Sequence, residues 1–178
     1  PEVITNYFKD GKEFGCQISY IEEPYLTGTA GALSHLCGQV LSPILVTNGD
    51  ILTNIDFKGL IEYHTQSNAV ATMVATKYVV QVPYGVISVE NEKVTGLKEK
   101  PDLGFLCNAG VYVLNPEILG RIPKHIEKGC QFNMTDLMEN LLKNKLPISV
   151  FPLHEYWTDI GMPLDLQKAR ADFTQHFH

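Results

Sequence analysis

The sequence lacks any apolar run approaching the roughly 20 residues that a membrane-spanning helix requires. It shows no signal-peptide pattern and no CxxC pair. We therefore expect a reducing, cytoplasmic location with free thiols. The cysteines are widely spaced and are expected in the core: Cys16, Cys37, Cys107 and Cys130.

Basic residues are also in the minority. Lysine and arginine number 14 against 20 acidic residues, a net charge of −6. A nucleic-acid groove needs a basic face, so nucleic acid is excluded as a partner. A phosphorylated small ligand is still allowed, because backbone N–H groups, a metal and one or two lysines can hold phosphate. The length of 178 residues, 44% of them hydrophobic, suits one globular domain.

What is present is an alternation of strand and helix patterns. Apolar or alternating runs predict strands at 17–22, 44–46, 69–78, 105–114 and 148–152. Helical patterns cover 1–8, 30–39, 57–66 with Asp56 as cap, 133–143 and 163–173. Segments 84–89 and 93–98 predict a hairpin with its turn at 90–92. The pattern indicates a mixed α/β fold with an antiparallel insertion.

Two acidic residues follow strand-like runs. Asp50 comes after the run 44–46 with Gly49 immediately before it, and Asp159 lies between an aromatic residue and a glycine. Open α/β sheets bind ligands beyond the carboxyl ends of parallel strands, and we expect Asp50 at such an edge. Two carboxylates converging there suit Mg²⁺, which takes oxygen ligands. Strand-end aspartates also form turns and helix caps, so the residues alone leave both interpretations open.

Six short motifs then occur in order along nearly the whole chain. They are EPYLTGTAGA (23–32), NGD (48–50), PYGV (83–86), KEKP (98–101), NAGVY (108–112) and WTDIG (157–161). Each is weak alone, but their order and spacing resemble the sugar-1-phosphate nucleotidyltransferases, also called nucleotide-sugar pyrophosphorylases. The resemblance implies a Rossmann-like mixed sheet flanked by helices, with an antiparallel sugar-binding insertion.

The resemblance also implies a role for each motif. It implies nucleotide binding by Gly28, Thr29, Ala30, Gly49 and Asp50. It implies a sugar pocket formed by Tyr84, Gly85, Glu99, Lys100, Asn108, Gly110 and Trp157. It further implies that Asp50 and Asp159 hold Mg²⁺ and that Asp50, Lys100 and Asp159 are catalytic, with Lys100 pairing with the phosphate of the sugar.

The reaction implied is nucleotidyl transfer from a nucleoside triphosphate to a sugar 1-phosphate, with release of pyrophosphate. A metal and a lysine suit such a step, because charge builds on phosphate oxygens. The motifs look most like those of the guanylyltransferase branch, which implies GTP and a role in nucleotide-sugar and polysaccharide biosynthesis. Thymidylyl and cytidylyl transfer stay open.

One family feature is missing. The glycine-rich loop with an arginine and a lysine, which binds the triphosphate, has no counterpart, because the first glycine-rich stretch, 28–31, contains no basic residue. We expect residues 1–178 to be a single partial domain, roughly the later three quarters of the family domain. We also expect this chain alone to be inactive, and its exposed strand edges to favour a homo-oligomer.

Other interpretations stay open beside this one. Lys100 could end a strand, Tyr84 with Gly85 could pack a hairpin, and Trp157 could belong to the core. A non-catalytic module that binds sugar phosphates would use the same pocket. A metal-dependent glycosyltransferase is disfavoured, because its Asp-x-Asp pair is absent and Ile51 and Leu52 follow Asp50. His35, His64, His125 and His154 show no metal-ligand spacing and are expected at the surface or hydrogen-bonded in the core, whereas His176 and His178 are expected in a frayed tail.

Overall fold

The structure, a computed structural model, describes residues 2–177. Pro1 and His178, expected in the first helix and in a frayed tail, lie outside the described residues. The helices are α1 (Glu2–Phe8), α2 (Phe57–Gln66), α3 (Met134–Lys143) and α4 (Pro163–His176). The strands are β1 (Ile44–Thr47), β2 (Ile51–Thr53), β3 (Ala71–Gln81), β4 (Val86–Glu90), β5 (Lys93–Lys98), β6 (Asp102–Leu114), β7 (Ile148–Leu153) and β8 (Trp157–Asp159). Short 3₁₀ helices span Lys12–Phe14, Gly31–Leu36 and Pro116–Arg121.

The chain divides into two compact units. The first comprises Pro1–Leu41 with Pro116–Asn140, and the second comprises Ser42–Asn115 with Leu141–His178. All eight strands belong to the second unit.

A four-stranded sheet forms the centre of the second unit, in the order β1-β6-β3-β7. Strand β6 is antiparallel to β1 and β3, whereas β3 and β7 are parallel. The buried core includes Leu60 of α2 and Val74, Val111 and Val113 of the sheet. The expected mixed sheet flanked by helices is confirmed.

Local chemistry accounts for several element boundaries. The Asp56 carboxylate accepts a hydrogen bond from the backbone N–H of Lys58 at 3.0 Å, which caps α2 as expected. Between β4 and β5, Asn91 and Glu92 both have positive φ (47° and 62°), as a two-residue hairpin turn requires. The antiparallel hairpin is therefore confirmed, with β4 beginning at Val86.

A buried polar network joins α2 to the sheet. His64, 3% exposed, lies 2.8 Å from the Thr72 hydroxyl and 3.0 Å from the Asn115 side-chain oxygen. Thr72 also lies 2.6 Å from the Ser149 hydroxyl. Buried polar groups are costly unless they are hydrogen-bonded, and here both ring nitrogens have partners. The expectation of a hydrogen-bonded core histidine is confirmed at His64.

Two expectations for the first unit were wrong. Segment 17–22 forms no strand, because no segment within residues 2–177 supplies it with a hydrogen-bonding ladder; Ile18 instead donates its N–H to Asp10 at 3.0 Å. The predicted helix 30–39 is a 3₁₀ helix over Gly31–Leu36, held by i→i+3 bonds such as Leu33 to Ala30. The alternation of a segment therefore predicts a strand only where another segment is available to pair with it.

The expectation that the four cysteines lie in the core was also wrong. Cys16 and Cys130 are exposed, and Cys37 and Cys107 are half-buried. Cysteine is often buried, but Cys16 and Cys130 lie outside the helices and strands, where no packed face covers them.

Within residues 2–177, no helix is both long and apolar enough to cross a membrane.

The expected fraying at His176 was wrong, because His176 ends α4 and packs against Tyr156, the residue before β8. The Tyr156 hydroxyl donates a 2.6 Å hydrogen bond to Asp172, and its ring stacks on His176 with centroids 4.5 Å apart. Burial, then the hydrogen bond and charge of Asp172, raise the pKa of Tyr156 to about 12. The phenol thus stays protonated through a range in which an unfolded tyrosine ionises.

We expect Tyr156→Phe to lower stability at neutral pH by about 1 kcal/mol, because one hydrogen bond to a carboxylate is lost. In the parent chain the contribution of this phenol is complete below pH 10 and is lost as pH rises towards 12, since the unfolded state releases its proton first. The difference in the free energy of unfolding between the parent and Tyr156→Phe should therefore decrease between pH 10 and pH 12. Urea unfolding followed by the fluorescence of Trp157 measures it, with Tyr63→Phe as control; a gap independent of pH would contradict the prediction.

Candidate active site

A bulge in β6 builds the wall of the candidate site. The β3–β6 register passes from Met73 opposite Tyr112 to Ala75 opposite Asn108. On the β3 side, residues 109–111 of β6 therefore have only Val74 opposite them. Such bulges re-aim side chains and are common beside functional sites.

Glycine is required within this bulge. Gly110 has φ +70°, and a Cβ there would lie 2.7 Å from Ile51 Cδ1 and 2.9 Å from Asn48 Nδ2. The Gly110 carbonyl accepts the backbone N–H of Asn48 at 2.9 Å, and its own N–H donates to Asn108 Oδ1 at 3.0 Å. The bulge is thus closed by hydrogen bonds with Asn48, directly after β1, and with Asn108, directly before the bulged residues 109–111.

Trp157 fixes the other side of the bulge. Its indole Nε1–H donates to the carbonyl of Ala109 at 2.9 Å, and its ring packs against the core. An open cleft of about 100 Å³ results, lined by Asn48, Ile51, Asn108, Ala109, Gly110, Trp157 and Asp159. Four predicted site residues, Asn108, Gly110, Trp157 and Asp159, therefore meet at one place.

Asp50 and Asp159 lie close together in the pairing of β2 with β8, Asp50 directly before β2 and Asp159 at the end of β8. Strands β2 and β8 pair antiparallel with Ile51 opposite Asp159, and the Asp50 carbonyl accepts the N–H of Ile160 at 2.8 Å. Both side chains are exposed, and within residues 2–177 neither carboxylate makes an ion pair. The lining of the cleft includes Asp159, whereas Asp50 lies in the turn just before β2.

The expected parallel-strand edge for Asp50 was wrong. Strand β1 ends at Thr47, and its hydrogen-bonded neighbour is the antiparallel β6. Asn48, Gly49 and Asp50 then form the connection to β2. The antiparallel β6 separates β1 from the parallel pair of β3 and β7, an order that a single strand pattern does not encode. A Cβ at Gly49 would meet nothing within 4 Å, so this turn is open.

The other predicted sugar residues lie at the open end of the β4–β5 hairpin. Tyr84 is 74% exposed, and Gly85 lies beside Glu99, whose Oε2 would be 3.0 Å from a Cβ at position 85. Lys100 follows β5 with φ +43° and makes no ion pair within the described part of the chain. In the described part of the chain, the residues that line the cleft do not include Tyr84, Gly85, Glu99 or Lys100.

Gly28, Thr29 and Ala30 belong to the first unit, where they make extensive backbone contacts. With Gly28 at φ +93°, a Cβ would lie 2.6 Å from the Phe132 carbonyl oxygen. The Ala30 N–H donates to that carbonyl at 3.0 Å, and the Thr29 N–H donates to Asn133 Oδ1 at 3.1 Å. This glycine therefore has a packing requirement, which the motif by itself did not reveal.

Three cleft residues had no assigned role in the sequence: Asn48, Ile51 and Ala109. Asn48 and Ala109 stand inside recognised motifs, which was the available signal. A further residue, Tyr112, receives a hydrogen bond from Asn108 although it is only 2% exposed. A bulge that brings these positions together cannot be read from alternation.

Comparison with solved structures defines the class of fold. HddC from Yersinia pseudotuberculosis superposes with a TM-score of 0.67 at 24% identity, over 97% of this chain and 74% of that one. A Bacillus anthracis structure assigned as a glucose-1-phosphate thymidylyltransferase and solved with sucrose gives 0.71 at 23% identity, over 95% and 70%. The class is thus that of the Rossmann-like α/β sheets found in sugar-1-phosphate nucleotidyltransferases.

The sequence comparisons are more specific. The Nucleotidyl transferase family model matches residues 1–176, and the chain belongs to this family. Mannose-1-phosphate guanyltransferase of Yarrowia lipolytica is 36% identical over 93% of this chain and 46% of its own length. The enzyme of the same name from Candida albicans is 35% identical over 93% and 47%. The chain therefore spans about half the length of the curated relatives it matches, and the family resemblance expected from the motifs is confirmed.

Proposed function

We propose that this protein transfers a guanylyl group from GTP to a sugar 1-phosphate, most specifically mannose 1-phosphate, and releases pyrophosphate. The observation that carries the proposal is the position of Asp159 in the cleft beside Asn108, Gly110 and Trp157. The names of the relatives supply the base and the sugar, since those at 33–36% identity are mannose-1-phosphate guanyltransferases.

The carboxylates of Asp159, which lines the cleft, and of Asp50, in the turn before β2, are suited to Mg²⁺. Within residues 2–177 no group of three or more His, Cys, Asp or Glu side chains could hold a metal ion. Two exposed carboxylates nevertheless lie at paired segments without an ion pair: Asp50 directly precedes β2, and Asp159 ends the neighbouring β8. Mg²⁺ typically uses one or two carboxylates and completes its shell with water and substrate phosphates. These two aspartates are therefore the proposed ligands, and a bound Mg²⁺ would neutralise phosphate charge during transfer.

The side chains of the protein serve binding and orientation in this proposal. The amide of Asn108 and the indole of Trp157 form walls against which the sugar lies. Glu99 accepts hydrogen bonds from sugar hydroxyls, and the ammonium group of Lys100 pairs with the sugar's phosphate. A phosphate oxygen of the sugar then attacks the α-phosphorus of GTP in line, the bond to the bridging oxygen breaks, and pyrophosphate leaves.

Two separate segments are proposed to contact the nucleotide, each considered within its own unit: Gly28, Thr29 and Ala30 in the first, and Gly49 with Asp50 in the second. The backbone N–H groups of Thr29 and Ala30 already have partners in Asn133 and Phe132. Their contribution to a nucleotide would therefore be shape and close approach rather than hydrogen-bond donation. At Gly49 the backbone is open, so a nucleotide can approach it closely.

Two measurements test the proposal. Calorimetry on residues 1–178 should detect mannose 1-phosphate, because the residues proposed for the sugar are all present. The protein as produced in its own cell should then form GDP-mannose and pyrophosphate from GTP and mannose 1-phosphate with Mg²⁺. Sugar-phosphate binding without pyrophosphate release from any nucleoside triphosphate would instead identify a non-catalytic binding module. Sugar transfer from preformed GDP-mannose would identify a glycosyltransferase.

A further inference from the structure

Tyr112 is a buried polar residue to which the proposed reaction gives no role. It is 2% exposed, opposite Val46 on one side and Met73 on the other. Its hydroxyl nevertheless accepts a hydrogen bond from Asn108 Nδ2 at 2.5 Å. A phenylalanine would fill the same space, so packing alone does not explain the hydroxyl.

The contact between Tyr112 and Asn108 exists because of the bulge. In a regular strand, residues four apart lie about 13 Å from each other, beyond the reach of a direct hydrogen bond. In the β3–β6 ladder residues 109–111 all lie opposite Val74, which shortens this path. The hydroxyl of Tyr112 thereby spans the bulge from its end to its beginning, and the hydrogen bond holds the bulge closed.

The hydrogen bonds around Asn108 fix the orientation of its amide. The Gly110 N–H is a donor, so the atom it meets at 3.0 Å must be the side-chain oxygen of Asn108. The amide nitrogen then faces Tyr112, and the tyrosine oxygen must accept. One N–H and one lone pair of Asn108 are left over, and this residue is exposed in the cleft. A donor beside an acceptor is suited to a hydroxyl group, which is itself both.

We propose that Tyr112 is a positioning residue for the sugar subsite: its hydroxyl spans the β6 bulge and holds the Asn108 amide with its free donor and acceptor towards the hydroxyls of the bound sugar phosphate. The inference rests on the proposed function for the identity of the ligand. It goes beyond that function in assigning the orientation of Asn108 to a side chain that does not itself line the cleft.

The electrostatic environment agrees with this assignment. Burial raises the pKa of the Tyr112 phenol, partly offset by the hydrogen bond from Asn108. The hydroxyl is therefore neutral at physiological pH, and the contact does not depend on a charge that could titrate there.

The first test is spectroscopic and needs no ligand. In Tyr112→Phe the side-chain ¹⁵N amide signals of Asn108 should shift and its N–H protons should exchange with water faster than in the parent chain. Tyr63→Phe is the matched control, because it also removes one tyrosine hydroxyl bond, here to the carbonyl of Val150 at 2.9 Å. Unchanged Asn108 signals in Tyr112→Phe, with the fold intact, would overturn the proposal.

The second test is a double-mutant cycle in binding of mannose 1-phosphate to residues 1–178. Tyr112→Phe should weaken binding about tenfold, which is about 1.4 kcal/mol. Because Tyr112 acts through Asn108, the double variant with Asn108→Ala should bind no more weakly than Asn108→Ala alone. Tyr63→Phe should bind as the parent does. Additive losses, or parent-like binding by Tyr112→Phe, would refute a positioning role.

Failure of the proposed function gives a different result. If the parent chain does not bind mannose 1-phosphate, the identity of the ligand is wrong, and the Asn108 signals alone decide whether Tyr112 orients the amide. If the sugar phosphate binds and the cycle is additive, the function stands and the role of Tyr112 is rejected.

Discussion

Asp159→Asn is expected to reduce pyrophosphate release by the active protein by about 100-fold or more at saturating Mg²⁺. Asparagine keeps the shape of the side chain but removes the charge that would hold the cation. Asp50→Asn should have an effect of similar size if both carboxylates bind the same ion. The two losses should not add, because removal of either ligand dismantles one site.

A direct readout is available on residues 1–178. Mn²⁺ can replace Mg²⁺ as a probe, and its electron paramagnetic resonance signal separates free from bound ion. Each aspartate variant should lose at least about tenfold in Mn²⁺ affinity. Asp56→Asn is the matched control: it makes the same change in the same unit at the cap of α2, where asparagine caps as well as aspartate.

The outcome for Asp50 decides between the two interpretations of that residue. Asp159 lines the cleft, whereas Asp50 lies in the turn before β2. If Asp50→Asn binds Mn²⁺ and turns over as the parent does while Asp159→Asn fails, Asp50 is a turn residue and the metal has one protein carboxylate. Normal turnover in Asp159→Asn would remove the metal assignment altogether.

Gly28→Ala is expected to cause the largest loss of stability, above about 3 kcal/mol in the first unit. The new Cβ would meet the backbone of Phe132 at 2.6–2.8 Å, and backbone atoms cannot rotate away as a side chain can. The positive φ of +93° adds its own cost of about 1–2 kcal/mol for a residue with a side chain.

Gly129 offers a matched control for the cost of the positive φ. It belongs to the same unit and has the same φ of +93°, but a Cβ there would meet nothing within 4 Å. Gly129→Ala should therefore lower stability only by the cost of a positive φ, about 1–2 kcal/mol. Hydrogen exchange of amides in the first unit is the measurement, because the single tryptophan, Trp157, reports on the second unit. Equal losses in the two variants would show that packing against Phe132 is not what requires Gly28.

The sequence predicted long, periodic elements well and pairing poorly. The cap at Asp56 and the turn at Asn91 depend on neighbouring residues, so local chemistry was enough to predict them. Segment 17–22 alternates like a strand but has no partner strand within residues 2–177. A strand is stabilised by hydrogen bonds to another segment, and the alternation of one segment says nothing about where the other lies.

The candidate site divides in the same way. The residue types and order of the six motifs identified the family and nominated Asn108, Gly110, Trp157 and Asp159, which meet in the cleft. The motif GTAGA suggested nucleotide contact at Gly28. The close approach of the Phe132 backbone could not be predicted from the sequence, because the two residues are 104 positions apart. The assigned roles of these residues are still predictions.

The sequence by itself determined the family, the α/β class and the residue types available for chemistry, because these follow from local pattern and motif order. The tertiary structure decided which of those residues meet. It placed the antiparallel β6 beside β1, bulged it at Gly110, and brought the hydroxyl of Tyr112 onto the amide of Asn108. The physical reason is that a bulge and a register are set by hydrogen bonds between strands that are distant in sequence. These hydrogen bonds exist only when the sheet has formed.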